Sequence, residues 1–459
     1  MGMMGTKGPT PPYFVTLAHP TWAEALAAAR KLPPEAMAEV RLDLFPDQDP
    51  EAMIHDLGRH CLITCRRPGE GGAWDGSEEE RLDRLVQAAR SRPAWLDLEW
   101  ELPVPPGLAQ ARSHLRLLRS VHVAEGVFDL EERLGELPEG EAFKWVGHAS
   151  QLADNARVKA PLAWARDHEV PLSAFLMGPK GIASRCLQFA WGGAFTYAAA
   201  EEGPTAAPGQ VPLGRMLGWR CHKLTPAYGL CGVFGQPVLH SRGPAFHNAR
   251  FQAAFKDLLY LPLACGDAPE AAQALEDLGV LGASLTAPLK ETLPPLLGLQ
   301  GPLNTLYRRD PHSPWSAANT DALALGETLA ALPAGPVLLL GDGGVAATTR
   351  AELARRGWPV LQASRRRPCS PAQVADFAPV GLIQATALGM TPGDPVPFPE
   401  LLEACGATAR WAMEWIYKED TAFAAWALNA GFALVGGAAL FEGQARAQSD
   451  LFIRGCGGA

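Results

Sequence analysis

Lys144 stands inside the apolar run AFKWVG, and a strand there would carry its ammonium away from water, where it must find a partner or give up its proton. An unprotonated lysine is a nucleophile toward ketones. The plain alternative is a side chain that snorkels to the surface. Company favours the first reading, because His122 closes the run LRLLRSVH and Glu39, Arg41, Arg66, Glu70 and Arg185 stand at equivalent places around other runs. An imidazole titrating near neutrality is suited to moving protons beside such an amine.

A second set of chemistry-bearing residues lies downstream. VLLLGDGGVAATTRAELARRG (337–357) reads as a strand, a glycine-rich turn and a helix, the pattern that brings backbone N–H groups against a pyrophosphate. The next run, PVLQAS, ends at Ser364, where an NAD enzyme would carry a carboxylate for the ribose hydroxyl. Arg365, Arg366 and Arg367 follow instead, and guanidinium groups there favour the 2′-phosphate of NADP(H) over a solvated basic loop. Lys290 and Asp321 are the pair suited to delivering a proton to a reduced ketone; as an ordinary surface ion pair they would do nothing chemical.

These groups need elements to hold them. Eight apolar runs, YFVTLA, AEVRLDL, CLITCR, WLDLEW, LRLLRSVH, AFKWVG, VPLSAFLMG and AFTYAAA, alternate with helical patterns up to about residue 200, which predicts a (β/α)8 barrel. Thr21 with Glu24 three residues on is a capping-box start for one of the helices. Glu39, Arg41, Arg66, His122, Lys144 and Met177 fall in or at the ends of the strand runs, where such barrels gather catalytic groups. LTPAYG (224–229) reads as a linker, and a doubly wound unit follows. The fold class is therefore α/β throughout.

At 459 residues the chain exceeds one ordinary core. Its net charge of −9 is spread without a basic block, so no nucleic-acid footprint is expected. The start, MGMMGTKGPTPPYF, has no apolar core of signal length, and no run has the length of a membrane span; a cytoplasmic enzyme with no membrane association is expected. Nine cysteines without a C-x-x-C pair predict buried thiols, with no disulfide framework and no metal site.

Taken in order, Glu39-x-Arg41-x-Asp43, TCR followed by EGG (Arg66, Glu70), LDLE (Asp97, Glu99), SVH (His122), FK (Lys144), MGPKGIASR (Arg185) and APGQ (Gln210) resemble type I 3-dehydroquinate dehydratase over about residues 12–222. The resemblance implies a Schiff base between Lys144 and the ketone of 3-dehydroquinate, with His122 as general acid and base. It implies that Arg185 holds the carboxylate, while Glu39, Arg41, Arg66, Glu70 and Gln210 fix the hydroxyls and charges. Ala206 stands where the family often has serine.

GVFGQPVLHSRGPAFHN, ASLTAPLKE, GPLNTL, AANTD, QATALGM, MEWIYKEDT and GAALFEGQ resemble shikimate dehydrogenase over about residues 227–455. The resemblance implies a substrate domain at 227–325, completed by 426–455, around a Rossmann NADP-binding domain at 326–425. Lys290 and Asp321 would be its catalytic couple. Ser241, Thr286, Asn304, Tyr417 and Gln444 would line the substrate site; Gly341, Gly343, Gly344, Ser364, Arg365 and Arg366 would bind NADP(H). The sequence departs from the family pattern at Gly243, Ser284, Asp342 and Glu414, and it is one residue short after Tyr417. Gly243 also occurs in relatives that prefer quinate, and a carboxylate at Asp342 would repel pyrophosphate unless paired.

The whole chain therefore reads as a bifunctional shikimate-pathway enzyme, dehydrating 3-dehydroquinate and then reducing 3-dehydroshikimate to shikimate. A quinate dehydrogenase, or a catalytically silent nucleotide-binding module, is the alternative for the second half.

Overall fold

The computed structural model describes residues 12–123, 130–301, 303–405, 408–418 and 420–457; the N-terminal segment MGMMGTKGPTPPYF, expected to lack a signal core, lies mostly outside them. The chain divides into two compact units, 1–281 and 282–459.

Unit 1 begins with eight parallel strands, β1 (Tyr13–Leu17), β2 (Ala36–Arg41), β3 (Cys61–Thr64), β4 (Trp95–Glu99), β5 (Arg116–His122), β6 (Ala142–His148), β7 (Leu172–Met177) and β8 (Thr196–Ala199), one at each expected run, although β2 starts two residues before its run and β6 ends one beyond. They pair in the order β7-β6-β5-β4-β3-β2-β1-β8. Between the end members β7 and β8, the N–H of Ala194 donates to the carbonyl of Leu172 at 2.8 Å, so the barrel is nearly closed. The run AEVRLDL is shorter as a strand than expected. Leu42–Leu44 tighten into a 3-10 turn because the Asp43 carboxylate collects Arg41 and the N–H groups of Arg66 and Ala73.

Strand alternation sorts the side chains. One set faces helices such as α1 (Trp22–Ala29) and α2 (Glu78–Arg90), both opened by Thr/Ser–Glu capping boxes; Leu17, Val40, Ile63, Leu96 and Leu117 are buried in that layer. The other set fills the barrel. Phe14, Met37, Leu62, Trp95, Leu118 and Ala142 form an apolar floor with Phe195. Two residues further along the same strands the interior turns polar, at Thr16, Glu39, Asp97, Ser120 and Lys144, all buried. Stacked layers of this kind are how an eight-stranded barrel fills its centre. After β7 comes the short helix α3 (Ile182–Cys186).

Beyond the barrel, β9 (Gly229–Gly235) and β10 (Leu258–Ala264) pair in parallel, followed respectively by α4 (Gly243–Ala253) and α5 (Ala268–Asp277).

Strand β11 (Val280–Leu285) runs into unit 2, where its residues 282–284 pair antiparallel with β12 (Thr305–Tyr307), and β12 with β13 (Ser316–Ala318). Helix α6 (Leu289–Leu296) lies between β11 and β12, and α7 (Thr320–Ala330) follows β13. A parallel sheet then forms from β14 (Val337–Leu340), β15 (Val360–Ala363), β16 (Gly381–Gln384), β17 (Trp411–Glu414) and β18 (Ala433–Val435), in the order β15-β14-β16-β17-β18. Its central strands β14, β16 and β17 are buried throughout, as in VLLL, which a sheet covered on both faces requires, while the edge strands β15 and β18 are only partly buried. Helix α8 (Gly344–Arg355) leaves β14 through the glycine turn, and α9 (Gly437–Gly455) ends the chain. Among the described residues no helix is long and apolar enough to cross a membrane.

Candidate functional site

Lys144 is the inward residue of β6 one step above the apolar floor. Its register partner on β5 is Ser120, and His122 lies two residues further on the same face, so amine and imidazole point into one space. That space is a cavity of about 300 Å³, lined among others by Glu39, Arg41, Arg66, Glu70, His122, Lys144, Arg185 and Gln210. All eight barrel residues expected from the sequence therefore meet there.

The lysine is 4% exposed. Its Nζ stands 3.4 Å from Glu39 Oε1, 3.9 Å from Asp97 Oδ2 and 3.8 Å over the Tyr197 ring. Burial, only partly offset by the Glu39 charge and reinforced by Arg66, lowers its pKa from 10.5 to about 8. At pH 7 about one lysine in ten is then neutral, against about one in three thousand at the ordinary value.

His122 is held on both sides. Its Nδ1 lies 2.9 Å from Glu70 Oε2, and Arg66 NH1 donates to Nε2 at 2.8 Å and also contacts Nδ1. Burial, then the charges of Arg66 and Lys144, hold the imidazole well below its ordinary pKa. It is a neutral base ready to accept a proton. Arg66 is fixed in turn by Asp97 at 2.8 Å. Glu70 is also gripped by Arg67, and burial raises its pKa.

Arg185 projects from α3 over the Phe175 ring, with its NH1 on the Tyr197 carbonyl at 3.0 Å. Its Nε is buried without a hydrogen-bond partner, and burial lowers its pKa to about 10. A desolvated guanidinium with a spare donor fits an anionic guest. Gln210 ties the overlying segment to the barrel: its Oε1 accepts from the Ala206 N–H at 2.9 Å and its Nε2 donates to Thr16 Oγ1, which donates to Glu39 at 2.5 Å. Two motif carboxylates stay out of the cavity. Asp43 serves the Arg41 turn, and Glu99 pairs with the buried Arg81 at 2.8 Å. Thr16, Asp97 and Tyr197 were not among the expected site residues, although strand alternation puts them on the same face as Glu39 and Lys144.

In unit 2, Lys290 Nζ and Asp321 Oδ2 are 2.6 Å apart. Lys290 sits at the start of α6 and Asp321 in the first turn of α7, whose N-cap Asn319 accepts from the Ala322 N–H. Asn304 holds that helix start, with its Oδ1 accepting from Thr320 N–H at 2.8 Å and Thr320 Oγ1 at 3.0 Å. Thr320 also reaches Gln444 on α9 at 3.5 Å. The Thr286 carbonyl accepts from Leu289 and Lys290 N–H, and Tyr417 is 46% exposed with its ring near Phe441. Ser241 belongs to unit 1, just before α4, where its Oγ accepts from the Gly243 N–H at 3.1 Å. Ser284, the departure from asparagine, spends its hydroxyl on Gln448 at 2.9 Å inside the core.

The glycine turn fits a dinucleotide. Gly341 has φ 123° and its β-carbon would strike the Ala385 carbonyl, so only glycine serves there. At Gly343 nothing lies within 4 Å of a β-carbon's place, and at Gly344 a Glu291 oxygen comes to 3.4 Å. No side chain caps α8, so its first N–H groups face that open space. Asp342 is paired, with Gln362 Nε2 at 3.3 Å and Arg367 Nε at 3.5 Å, so its carboxylate does not stand alone beside the turn. Ser364 Oγ accepts from the N–H groups of Arg366 and Arg367, a tight turn that leaves Arg365 and Arg366 exposed.

Comparison with known proteins follows the same division. Residues 13–218 match the family model for type I 3-dehydroquinase, and residues 233–301 match that for the shikimate dehydrogenase substrate binding domain. A 3-dehydroquinate dehydratase of Desulfotalea psychrophila is 31% identical over 44% of this chain and 94% of its own length. The chloroplastic bifunctional 3-dehydroquinate dehydratase/shikimate dehydrogenase of Arabidopsis thaliana is 26% identical over 62% of this chain and 50% of its own. Among solved structures, the dehydroquinate dehydratase and shikimate dehydrogenase of S. pombe AroM is similar with a TM-score of 0.40 and 19% identity, over 97% of this chain and 96% of that one.

Proposed function

The chain belongs to the type I 3-dehydroquinase family and continues into a shikimate dehydrogenase, a bifunctional shikimate-pathway enzyme joining a lyase to an oxidoreductase; we propose that its residues divide the two reactions as follows. The barrel spans 12–222, the reductase substrate domain 227–325 with 426–455, and the nucleotide domain 326–425.

In the barrel, neutral Lys144 adds to the ketone of 3-dehydroquinate and loses water to form an imine. Protonated, that imine acidifies the neighbouring C–H. His122 takes the proton and returns one to the departing hydroxyl, so water leaves; hydrolysis of the imine then frees 3-dehydroshikimate and Lys144. Arg185 receives the substrate carboxylate on its spare Nε donor. Glu39, Arg41, Arg66, Glu70 and Gln210 position the hydroxyls and charges. The observation that carries this reading is a buried lysine lowered to about 8 in the same cavity as a neutral imidazole. Borohydride treatment with 3-dehydroquinate, followed by peptide mass mapping, tests it. The expected result is a reduced adduct on Lys144, and dehydration without any adduct would refute the imine route.

The second half takes a nicotinamide cofactor, which supplies a hydride to the ketone carbon when bound. Lys290, paired with Asp321 at 2.6 Å, delivers the proton that the resulting alkoxide needs. Ser241, Thr286, Asn304, Tyr417 and Gln444 hold the substrate. Gly341, Gly343, Gly344 and Ser364 accommodate the pyrophosphate and ribose, and Arg365 and Arg366 select NADP(H) through the 2′-phosphate. The paired state of Asp342 argues against a silent nucleotide module. Gly243 keeps a quinate reading in play: a β-carbon there would lie 3.1 Å from Ser241 Oγ and 3.2 Å from Tyr260 Cε1, so glycine widens this corner. Comparing NADP-linked oxidation of shikimate and quinate decides between them. We also propose the cytoplasm as the working compartment, consistent with nine free cysteines.

A further inference from the structure

The loop after β7 is the seat of the segment that covers the barrel cavity. Gly178 donates its N–H to the Pro208 carbonyl at 3.1 Å, and a β-carbon on Gly209, whose φ is 76°, would lie 2.2 Å from the Gly178 carbonyl oxygen. Ala206, Ala207, Pro208 and Gln210, all on that covering segment, line the cavity. Two residues along the same loop, Lys180 leaves the barrel altogether. Its Nζ pairs with Glu270 Oε2 at 2.8 Å, with side-chain exposures of 30% and 14%. The other oxygen of Glu270 accepts the Leu152 N–H at 2.9 Å. Glu270 stands in the first turn of α5, within the segment that matches the shikimate dehydrogenase model. Both carboxylate oxygens of a reductase residue are thus spent on loops of the dehydratase barrel.

The Lys180 loop is otherwise held by neutral hydrogen bonds: Asn155 Nδ2 donates to the Lys180 carbonyl at 2.7 Å, and Ser184 Oγ to the Gly181 carbonyl at 2.9 Å. The Glu270 contact is the charged one, and its partial burial shields it from the screening that weakens surface pairs.

We propose that Glu270 is a positioning residue for the barrel's reaction, fixing through Lys180 the loop on which the covering segment rests. The reductase half thereby sets how firmly the dehydratase closes over its substrate. This rests on the dehydratase reading above. Loosening the seat weakens substrate retention and leaves the amine and imidazole where they are, so the signature is a change in KM without one in kcat.

The test uses the full chain carrying Glu270→Gln, Lys180→Met and the two together. Each single variant is expected to raise KM for 3-dehydroquinate about threefold to tenfold with kcat within about twofold, the pair being worth somewhat more than an exposed one. The double variant is expected to be no worse than either single one, since both break the same link. NADP-linked shikimate oxidation, expected within about twofold of wild type, reports that the fold survives. Unchanged KM in the single variants, additive effects in the double one, or a joint fall of both activities would each overturn the proposal. Wild-type protein that forms no borohydride adduct on Lys144 would bring down the dehydratase reading and this inference with it. A wild-type adduct alongside unchanged KM in the variants would overturn this inference alone.

Discussion

Glu70 Oε2 lies 2.9 Å from His122 Nδ1, with Arg66 donating to Nε2 of the same ring. The carboxylate orients the ring and steadies the cation formed when the imidazole takes a proton; the arginine opposes that cation. Replacing Glu70 by glutamine keeps an acceptor but loses the charge. Turnover is expected to fall about tenfold to a hundredfold, and the acid limb of the pH–kcat profile to move to lower pH, because a nearby anion no longer favours imidazolium. Steady-state dehydration assays over pH 4–9, with absorbance of the enone product, check both.

Imine formation consumes the neutral amine, so its rate rises as pH climbs through the lysine's pKa and levels off above it. With Lys144 lowered to about 8, the rate of borohydride trapping is expected to be half-maximal near pH 8 and to level off about one pH unit higher. A limb near 10.5 would contradict the buried-amine account. The Glu39 charge raises this pKa, and it is removed in Glu39→Gln, so that variant should plateau at still lower pH.

Arg365 and Arg366 are exposed, and the reading proposed above assigns them the 2′-phosphate of NADP(H). Changing both to alanine removes charge-assisted hydrogen bonds worth about 1–3 kcal/mol in all. KM for NADPH is expected to rise about tenfold to a hundredfold, while NADH kinetics stay within about twofold. Equal losses with both cofactors would remove these arginines from the selectivity role.

Gly341→Ala sets a β-carbon 2.5 Å from the Ala385 carbonyl oxygen at a φ of 123°, a cost on the order of 2–4 kcal/mol. Reductase activity is expected to collapse at moderate temperature with dehydratase activity retained. Parallel thermal inactivation of the two activities would reveal the difference.

Much of the barrel could be read in advance because its strands are short apolar runs with a strict alternation, and because its polar groups interrupt those runs at one level. Lys144, Glu39 and His122 announce themselves as charged or titratable residues where a strand should be greasy. Thr16 and Tyr197 escaped notice for the opposite reason, and Asp97 was named in its motif without a role: a threonine, a tyrosine or one of two carboxylates in LDLE is unremarkable until register shows which face it takes. The shortening of β2 at Leu42 depended on Asp43 finding three donors, two of them backbone N–H groups from residues 66 and 73, which no local pattern encodes. Asp342 illustrates the same limit, since its partners Gln362 and Arg367 come from the end of the next strand and the turn after it. The contact of Glu270 with Lys180 spans ninety positions and has no sequence signature at all.

The bond from Ala194 to Leu172 carries a consequence of its own. Every other neighbouring pair of barrel strands is laced by a run of ladder bonds, whereas β7 and β8 meet through this clasp. Local opening begins where the fewest bonds must break together, so deuterium should enter first along this slit, at the amides of β8 and the start of β7, and last at β3 and β4, which stand opposite it in the ring; the lysine's strand, β6, is the slit's immediate neighbour across β7.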